Sequence, residues 1–213
     1  MSGGDGGLPV VEPPFADAPA DPAPRVAGVV LAAGTSSRFG DRNKLLATRG
    51  GEPLVRRAAR TLLATRLDPV VAVVGHEADR VAGALDGLDV EIVRNDAYAE
   101  GQATSVRAGI EALSDRGVDA ALIALGDMPF LDPETIETLL DAYAAGVGSA
   151  LAAAHAGDRG NPVLFDRTHF AALCAVDGDV GGREILLEGE DSACVAVDDP
   201  GVRRDIDEPG DLE

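Results

Sequence analysis

Three stretches of the chain, 26–31, 69–75 and 120–125, are apolar from end to end, and each is followed by a segment with helical patterning. Runs without polar alternate positions form strands that must be covered on both faces. A parallel sheet with helices on either side provides that cover and accommodates the crossovers between its strands. The helix after the first strand opens at Glu52-Pro53 and extends to about residue 66, with Leu54, Ala58, Leu62 and Leu63 on its inner side. A short helix at 77–85, a third strand at 90–93 and a helix at about 104–114 continue the alternation. The expected fold class is α/β, with a mostly parallel, doubly wound sheet.

Past the third apolar run the pattern is less regular. Asp132-Pro133-Glu134 has the composition of a helix start, with Pro in the first turn. Residues 149–155 read as a strand, 157–161 as a loop, 162–165 as a short strand and 168–176 as a helix. Gly178-Asp179-Val180-Gly181-Gly182-Arg183 opens a short helix to about 188, and 192–197 is the last strand. Residues 1–24 are rich in Gly, Pro and Asp with little to bury, and read as a disordered tail. One domain, 25–213, remains.

The first loop carries the densest chemistry. After the strand come Leu31-Ala32-Ala33-Gly34-Thr35-Ser36-Ser37-Arg38-Phe39-Gly40, then Asn43-Lys44-Leu45-Leu46. Small residues let backbone N–H groups approach an anion, and Arg38 and Lys44 add charge where phosphates would sit. The glycine spacing does not match G-x-G-x-x-G, and Asp41 stands where a Walker lysine would follow the second glycine. A nucleotide-triphosphate loop of a third kind remains. Lys44 is the only lysine of the chain. It is either a solvated loop residue or a compact point charge for phosphate.

The third apolar run ends in Gly126-Asp127-Met128-Pro129, which puts Asp127 on the carboxyl edge of the sheet, where open α/β folds bind ligands. Asp127 is either a turn residue or a metal ligand. Asp132 already supplies the cap of the next helix, which leaves Asp127 available for the second role. Asp205-Ile206-Asp207 places two further acids at alternate positions near the C-terminus.

Composition excludes several classes. The 213 residues include 37 acids against 18 Lys plus Arg, a formal net charge of −19, and such a surface repels nucleic acid. High acidity with a single lysine and abundant Ala suggests a halophilic host. At 1 M salt the Debye length is ~3 Å, so distant acids would not oppose an anionic ligand. No apolar stretch reaches the ~20 residues of a membrane span, and Met1-Ser2-Gly3-Gly4-Asp5 has no features of a secretory signal. A cytoplasmic protein is expected. Cys174 and Cys194 lack C-x-x-C spacing and read as reduced core residues. Among the histidines, His155 reads as a hydrogen-bonded structural residue, His76 as able to touch a ligand, and His169 as surface.

In their order, the first loop with Lys44, Glu100-Gly101-Gln102-Ala103-Thr104-Ser105, Gly126-Asp127-Met128-Pro129, Gly160-Asn161-Pro162, the Gly178–Arg183 stretch and Asp205-Ile206-Asp207 resemble the molybdopterin nucleotidyltransferases of the MobA-like superfamily. The likeness covers nearly all of residues 26–213 and is closest to the molybdenum cofactor cytidylyltransferase branch. It implies a single-domain, Rossmann-like nucleotidyltransferase fold with a nucleotide-binding half (25–130) and an acceptor-binding half (131–213). The family moves a nucleotidyl group from CTP to the terminal phosphate of molybdopterin, with Mg²⁺ and release of pyrophosphate, for delivery to a molybdenum enzyme.

By resemblance, Leu31, Ala32, Ala33 and Gly34 meet the base and phosphates. Arg38 and Lys44 stabilise the triphosphate, Asp127 and Asp207 hold Mg²⁺, and Gly75, Gly101 and Ser105 line the base and ribose end. Asn161, which stands where relatives often carry His, and Arg183 receive the acceptor. Ala33 favours CTP, because the guanylyl branch carries Gly there. Two alternatives stay open: a transferase using GTP or a different phosphorylated acceptor, and a non-catalytic nucleotide-binding accessory protein. A dinucleotide-dependent oxidoreductase is a third, disfavoured by the missing G-x-G-x-x-G.

Overall fold

The computed structural model describes residues 7–15, 23–36, 39, 42–178 and 182–212. Arg38 and Gly40 of the first loop, and Asp179-Val180-Gly181, lie outside them. In chain order the strands are β1 (Val10–Val11), β2 (Val26–Ala32), β3 (Thr48–Arg49), β4 (Glu52–Pro53), β5 (Val70–Val74), β6 (Glu91–Arg94), β7 (Ala120–Leu125), β8 (Ala150–His155), β9 (Asp158–Asp166) and β10 (Ser192–Ala196). The helices are α1 (Leu54–Leu63), α2 (Ala78–Ala84), α3 (Gln102–Glu111), α4 (Pro133–Ala144), α5 (Phe170–Ala175) and α6 (Arg183–Glu188).

Eight strands form one sheet in the order β1-β10-β8-β9-β7-β2-β5-β6, and β3 pairs with β4 in a separate small hairpin. Only β9 runs antiparallel to its neighbours, β7 and β8. The apolar runs take the central positions, and their residues alternate between two cores. Val26, Val30, Ala72 and Val74 face α1 and α4 through Val55, Leu62, Ile136 and Leu139. Val29, Leu31, Val71 and Val73 face α3, α5 and α6 through Val106, Ile110, Leu173 and Leu186. The chain leaves β2 toward β5 and β6, then returns to β7 on the other side of β2. The loops after β2 and β7 therefore diverge from adjacent strand ends, and a crevice opens between them.

Several expectations change. Val10 and Val11 pair in parallel with Cys194 and Val195, so part of the 1–24 segment is an edge strand. Leu8 packs on one core and Val11 and Phe15 on the other, which supplies the burial that the composition concealed. Residues 158–161 are not a loop: they extend β9 to nine residues, joined to β8 by Ala156-Gly157, both at positive φ. Two residues of that geometry make a tight hairpin turn, so polar residues enter a strand directly. Glu52 and Pro53 pair with Thr48 and Arg49, and helix begins at Leu54. His169 is half-buried rather than on the surface, with Nε2 at 3.0 Å from Ser149 Oγ. Asp132 caps α4 as expected, accepting from the Glu134 N–H with Pro133 in the first turn. Among the described residues, no helix is long and apolar enough to cross a membrane.

Candidate active site

The turn after β2 is held from within. Ser36 takes a positive φ of 55° and is buried. Its Oγ accepts the Lys44 N–H at 3.1 Å, while Asn43 Oδ1 accepts the Leu45 N–H at 3.0 Å. The His76 N–H donates to the Ala33 carbonyl at 3.1 Å, tying the β5 end to this loop. Gly75 lies directly beneath: a Cβ on it would stand 2.8 Å from Ala33 Cβ and 2.6 Å from Tyr98 Cβ. Only glycine allows that approach, and it fixes how far Ala33 and Tyr98 stand out from the sheet.

Opposite, Asp127 follows β7. Its carbonyl accepts the Ile206 N–H at 3.0 Å, and Ile206 is buried with Phe39 and Leu54. Phe130 has two guanidinium groups against its ring, Arg49 at 4.5 Å and Arg204 at 4.0 Å from the centroid. These contacts anchor the segment that carries Asp205 and Asp207. Lys44 Nζ then meets Asp127 Oδ2 at 2.6 Å and Asp207 Oδ1 at 3.0 Å.

Burial pushes the Asp127 carboxyl above the usual range, the Lys44 ammonium pulls it back, and Asp205 adds to the rise. Burial pulls the Lys44 ammonium down, but Asp127 and then Asp207 outweigh it and hold the group above the usual lysine value. Asp127, Asp205 and Asp207 each offer an oxygen, and these lie within 4.8 Å of one another. Asp127 Oδ1 is buried with no hydrogen-bond partner. Hard carboxylate oxygens, one of them unspent, suit a divalent cation of the Mg²⁺ or Mn²⁺ type.

These groups border a cleft of about 370 Å³, lined by Leu31, Ala33, Gly34, Lys44, Gly101, Ser105, Asp127 and Asp207 of the expected residues, with Thr35, Ser36 and Tyr98. Gly101, at φ 118° and ψ 167°, turns the chain into α3 in a region open only to glycine. Asn95, missed in the sequence, fixes the far wall: its Nδ2 donates to Thr104 Oγ1 at 2.8 Å and Ser105 Oγ at 3.0 Å. Its signal was an Asn closing a strand ahead of Gly101. Ala32, Gly75 and His76 are not among the lining residues and support the cleft from beneath.

A second cleft, about 480 Å³, adjoins the first across Leu31, Gln102 and Leu125. Asn161 and Arg183 line it with Arg159, above an apolar floor of Val106, Ile123, Val163 and Phe165. One wall is tied to α3, where Ala103 N–H donates to the Gly178 carbonyl and Arg107 to the carbonyls of Cys174 and Val176. Both clefts draw on residues either side of 130, so the halves meet within one sheet. His155 has the structural contact expected of it, Nδ1 at 3.1 Å from the Val197 carbonyl.

Fold and cleft together define an open α/β protein whose charged groups gather at the switch point of its sheet. Residues 28–197 match the MobA-like NTP transferase domain, and the chain belongs to that family. Nicotine blue oxidoreductase of Paenarthrobacter nicotinovorans is 33% identical over 171 residues, 78% of this chain and 83% of that protein. A probable molybdenum cofactor guanylyltransferase of Natronomonas pharaonis is 34% identical over 114 residues, 54% of this chain. That match spans 55% of the relative's own length. Rv0371c from Mycobacterium tuberculosis H37Rv superposes with a TM-score of 0.78 at 26% identity, covering 89% of this chain and 96% of that one. The same protein in complex with manganese gives a TM-score of 0.72 at 27% identity, with coverage of 88% and 95%.

Proposed function

We propose that the protein transfers CMP from CTP to the terminal phosphate of molybdopterin. An oxygen of that phosphate bonds to the α-phosphorus, and the bond from the α-phosphorus to the bridging oxygen breaks. Its electron pair leaves with pyrophosphate. The observation that carries the reading is the meeting of Lys44 with Asp127 and Asp207 on the wall of a cleft bordered by Gly34, Thr35 and Ser36. Both reactants are anions, so catalysis is chiefly charge neutralisation and alignment.

In this reading the backbone of Ala33 and Gly34 meets the base and phosphates, with Ala32 supporting them from beneath, and Arg38 and Lys44 carry charge for the triphosphate and the departing pyrophosphate. Ser105 and Gly101 face the ribose end, with Gly75 leaving room for Ala33 to seat close beside it. Asp127 and Asp207 would hold Mg²⁺, with Asp205 beside them; when bound, the ion neutralises phosphate charge. The manganese complex of the mycobacterial neighbour supports a divalent cation here. Asn161 and Arg183 in the adjoining cleft receive molybdopterin, whose flat body suits the apolar floor. The product would then pass to a molybdenum enzyme.

CTP is favoured by Ala33, whose Cβ leaves less room at the base end than a glycine would. The name of the Natronomonas relative favours the molybdenum cofactor and weighs toward GTP. Incubation with each nucleoside triphosphate, Mg²⁺ and molybdopterin, with product identification by mass, decides between them. The reading expects the cytidylylated cofactor. No nucleotide adduct with any triphosphate would contradict it.

A second reading, oxidoreduction, is favoured by the name of the Paenarthrobacter relative. It requires turnover of a nicotinamide or flavin cofactor, which absorbance measurements on the purified protein would detect.

A further inference from the structure

A lysine kept for phosphate would stand over the loop that cradles phosphate. Lys44 lines the same cleft as Gly34, Thr35 and Ser36, but its ammonium is spent on Asp127 Oδ2 at 2.6 Å and Asp207 Oδ1 at 3.0 Å. Those two side chains and Asp205 are the ones whose oxygens converge to within 4.8 Å. A divalent cation binds carboxylate oxygens at about 2.0–2.6 Å, so it needs the space between them. An ammonium bridging two of the three already supplies positive charge to that cluster. Asp127 Oδ1 remains buried and unpartnered, so the lysine does not satisfy the cluster completely.

We propose that Lys44 is the counter-ion of the nucleotide-free protein, and that a divalent cation displaces it from the carboxylates toward the phosphate-binding side of the cleft. The inference rests on the metal reading of Asp127 and Asp207 above and adds an order to it. Two cations a few ångströms apart repel, so the ammonium must leave as the metal enters. A displaced ammonium needs a new anion, which a triphosphate provides. Metal and nucleotide therefore raise each other's affinity, by linkage and equally. The side chain suits the move, being a compact charge on a flexible four-carbon stem. The backbone below it is fixed by the Ser36 and Asn43 hydrogen bonds, so the stem can swing without disturbing the loop.

Mn²⁺ titrations followed by electron paramagnetic resonance, without nucleotide, test the displacement in wild-type protein, Lys44→Met and Asp127→Asn. Removing the competing charge should tighten Mn²⁺ binding by about tenfold or more in Lys44→Met, while Asp127→Asn should lose binding. Because Lys44 is the only lysine, protein carrying ¹³C at lysine Cε gives a single lysine signal. That signal should move in step with Mg²⁺ binding by the wild type and stay still in Asp127→Asn. Unchanged or weaker Mn²⁺ binding in Lys44→Met, or a lysine signal that stays put as Mg²⁺ saturates, overturns the displacement while leaving the metal site standing. Failure of both wild type and Lys44→Met to bind Mn²⁺ overturns the displacement and the metal reading together. Should Lys44→Met not fold, the lysine signal of the wild type decides alone.

Discussion

Gly75 and Asp127 show how differently two residues of one site announce themselves. Asp127 stands out in the sequence because an acid directly follows an apolar run and a nearby Asp132 already serves as the cap. Gly75 is by itself a glycine at a strand end, singled out in the sequence only by resemblance, and its task of seating Ala33 and Tyr98 depends on a contact from residues far away in sequence. Replacing it by alanine puts a Cβ 2.6 Å from Tyr98 Cβ and 2.8 Å from Ala33 Cβ. Gly75→Ala should raise the KM for the nucleotide by about tenfold, with a smaller effect on kcat, because it moves binding groups and leaves the charged ones in place. Steady-state kinetics on the variant check this; an unchanged KM would mean that Ala33 does not touch the nucleotide. The bracing roles of Ser36 and Asn43 within the first loop were not legible because polar residues in a loop carry no pattern. Their value lies in the hydrogen bonds of a turn with a positive φ.

At the scale of elements, the apolar strands and the helices between them were legible because burial on both faces leaves no choice of residue type. β1 and the start of β9 were not. Val10-Val11 is too short to show a period, and Asp158-Arg159-Gly160-Asn161 has loop composition while hydrogen-bonding as a strand. β1 is the outermost strand and covers the edge of β10, with the Cys194 N–H donating to the Pro9 carbonyl at 2.8 Å. Removing residues 1–24 should therefore lower the Tm and raise the rate at which buried Cys194 reacts with a thiol reagent. An unchanged rate would show that the strand adds no protection.

On the far side of the sheet, Asp166 accepts from Tyr143 Oη at 2.6 Å and from the Thr168 N–H at 2.8 Å. Partial burial raises its carboxyl, but the Thr168 and Tyr143 hydrogen bonds outweigh that and hold it below the usual range. A depressed value in the folded state adds stability at pH values above the unfolded carboxylate range, and that stability is lost as pH falls through the folded value. Asp166→Asn should cost about 1–2 kcal/mol at neutral pH, with the gap to wild type closing in acid. Thermal melts across pH measure this.

The whole molecule combines a formal charge of −19 with a cleft that the proposed function assigns to anions. The switch point resolves the conflict locally, since loops from β2 and β7 and the C-terminal segment bring Lys44 to the cleft. The first loop predicted a cation there. That Asp207 would meet Lys44 could not be read from spacing, because 163 residues separate them and the segments are joined by tertiary contacts, among them the packing of Ile206 and its N–H bond to the Asp127 carbonyl. The remaining charge repels itself, so raising salt from about 0.1 M to about 1 M should raise the Tm as the Debye length shrinks. A falling Tm would mean that the surface ion pairs outweigh the repulsion.

The central claim is that Asp127 and Lys44 work on a triphosphate, and pyrophosphate release from CTP with Mg²⁺ and molybdopterin measures it most directly in wild type against Asp127→Asn. The account predicts release by the wild type and a loss of about a hundredfold or more in the variant. Equal release by a folded Asp127→Asn protein would contradict it.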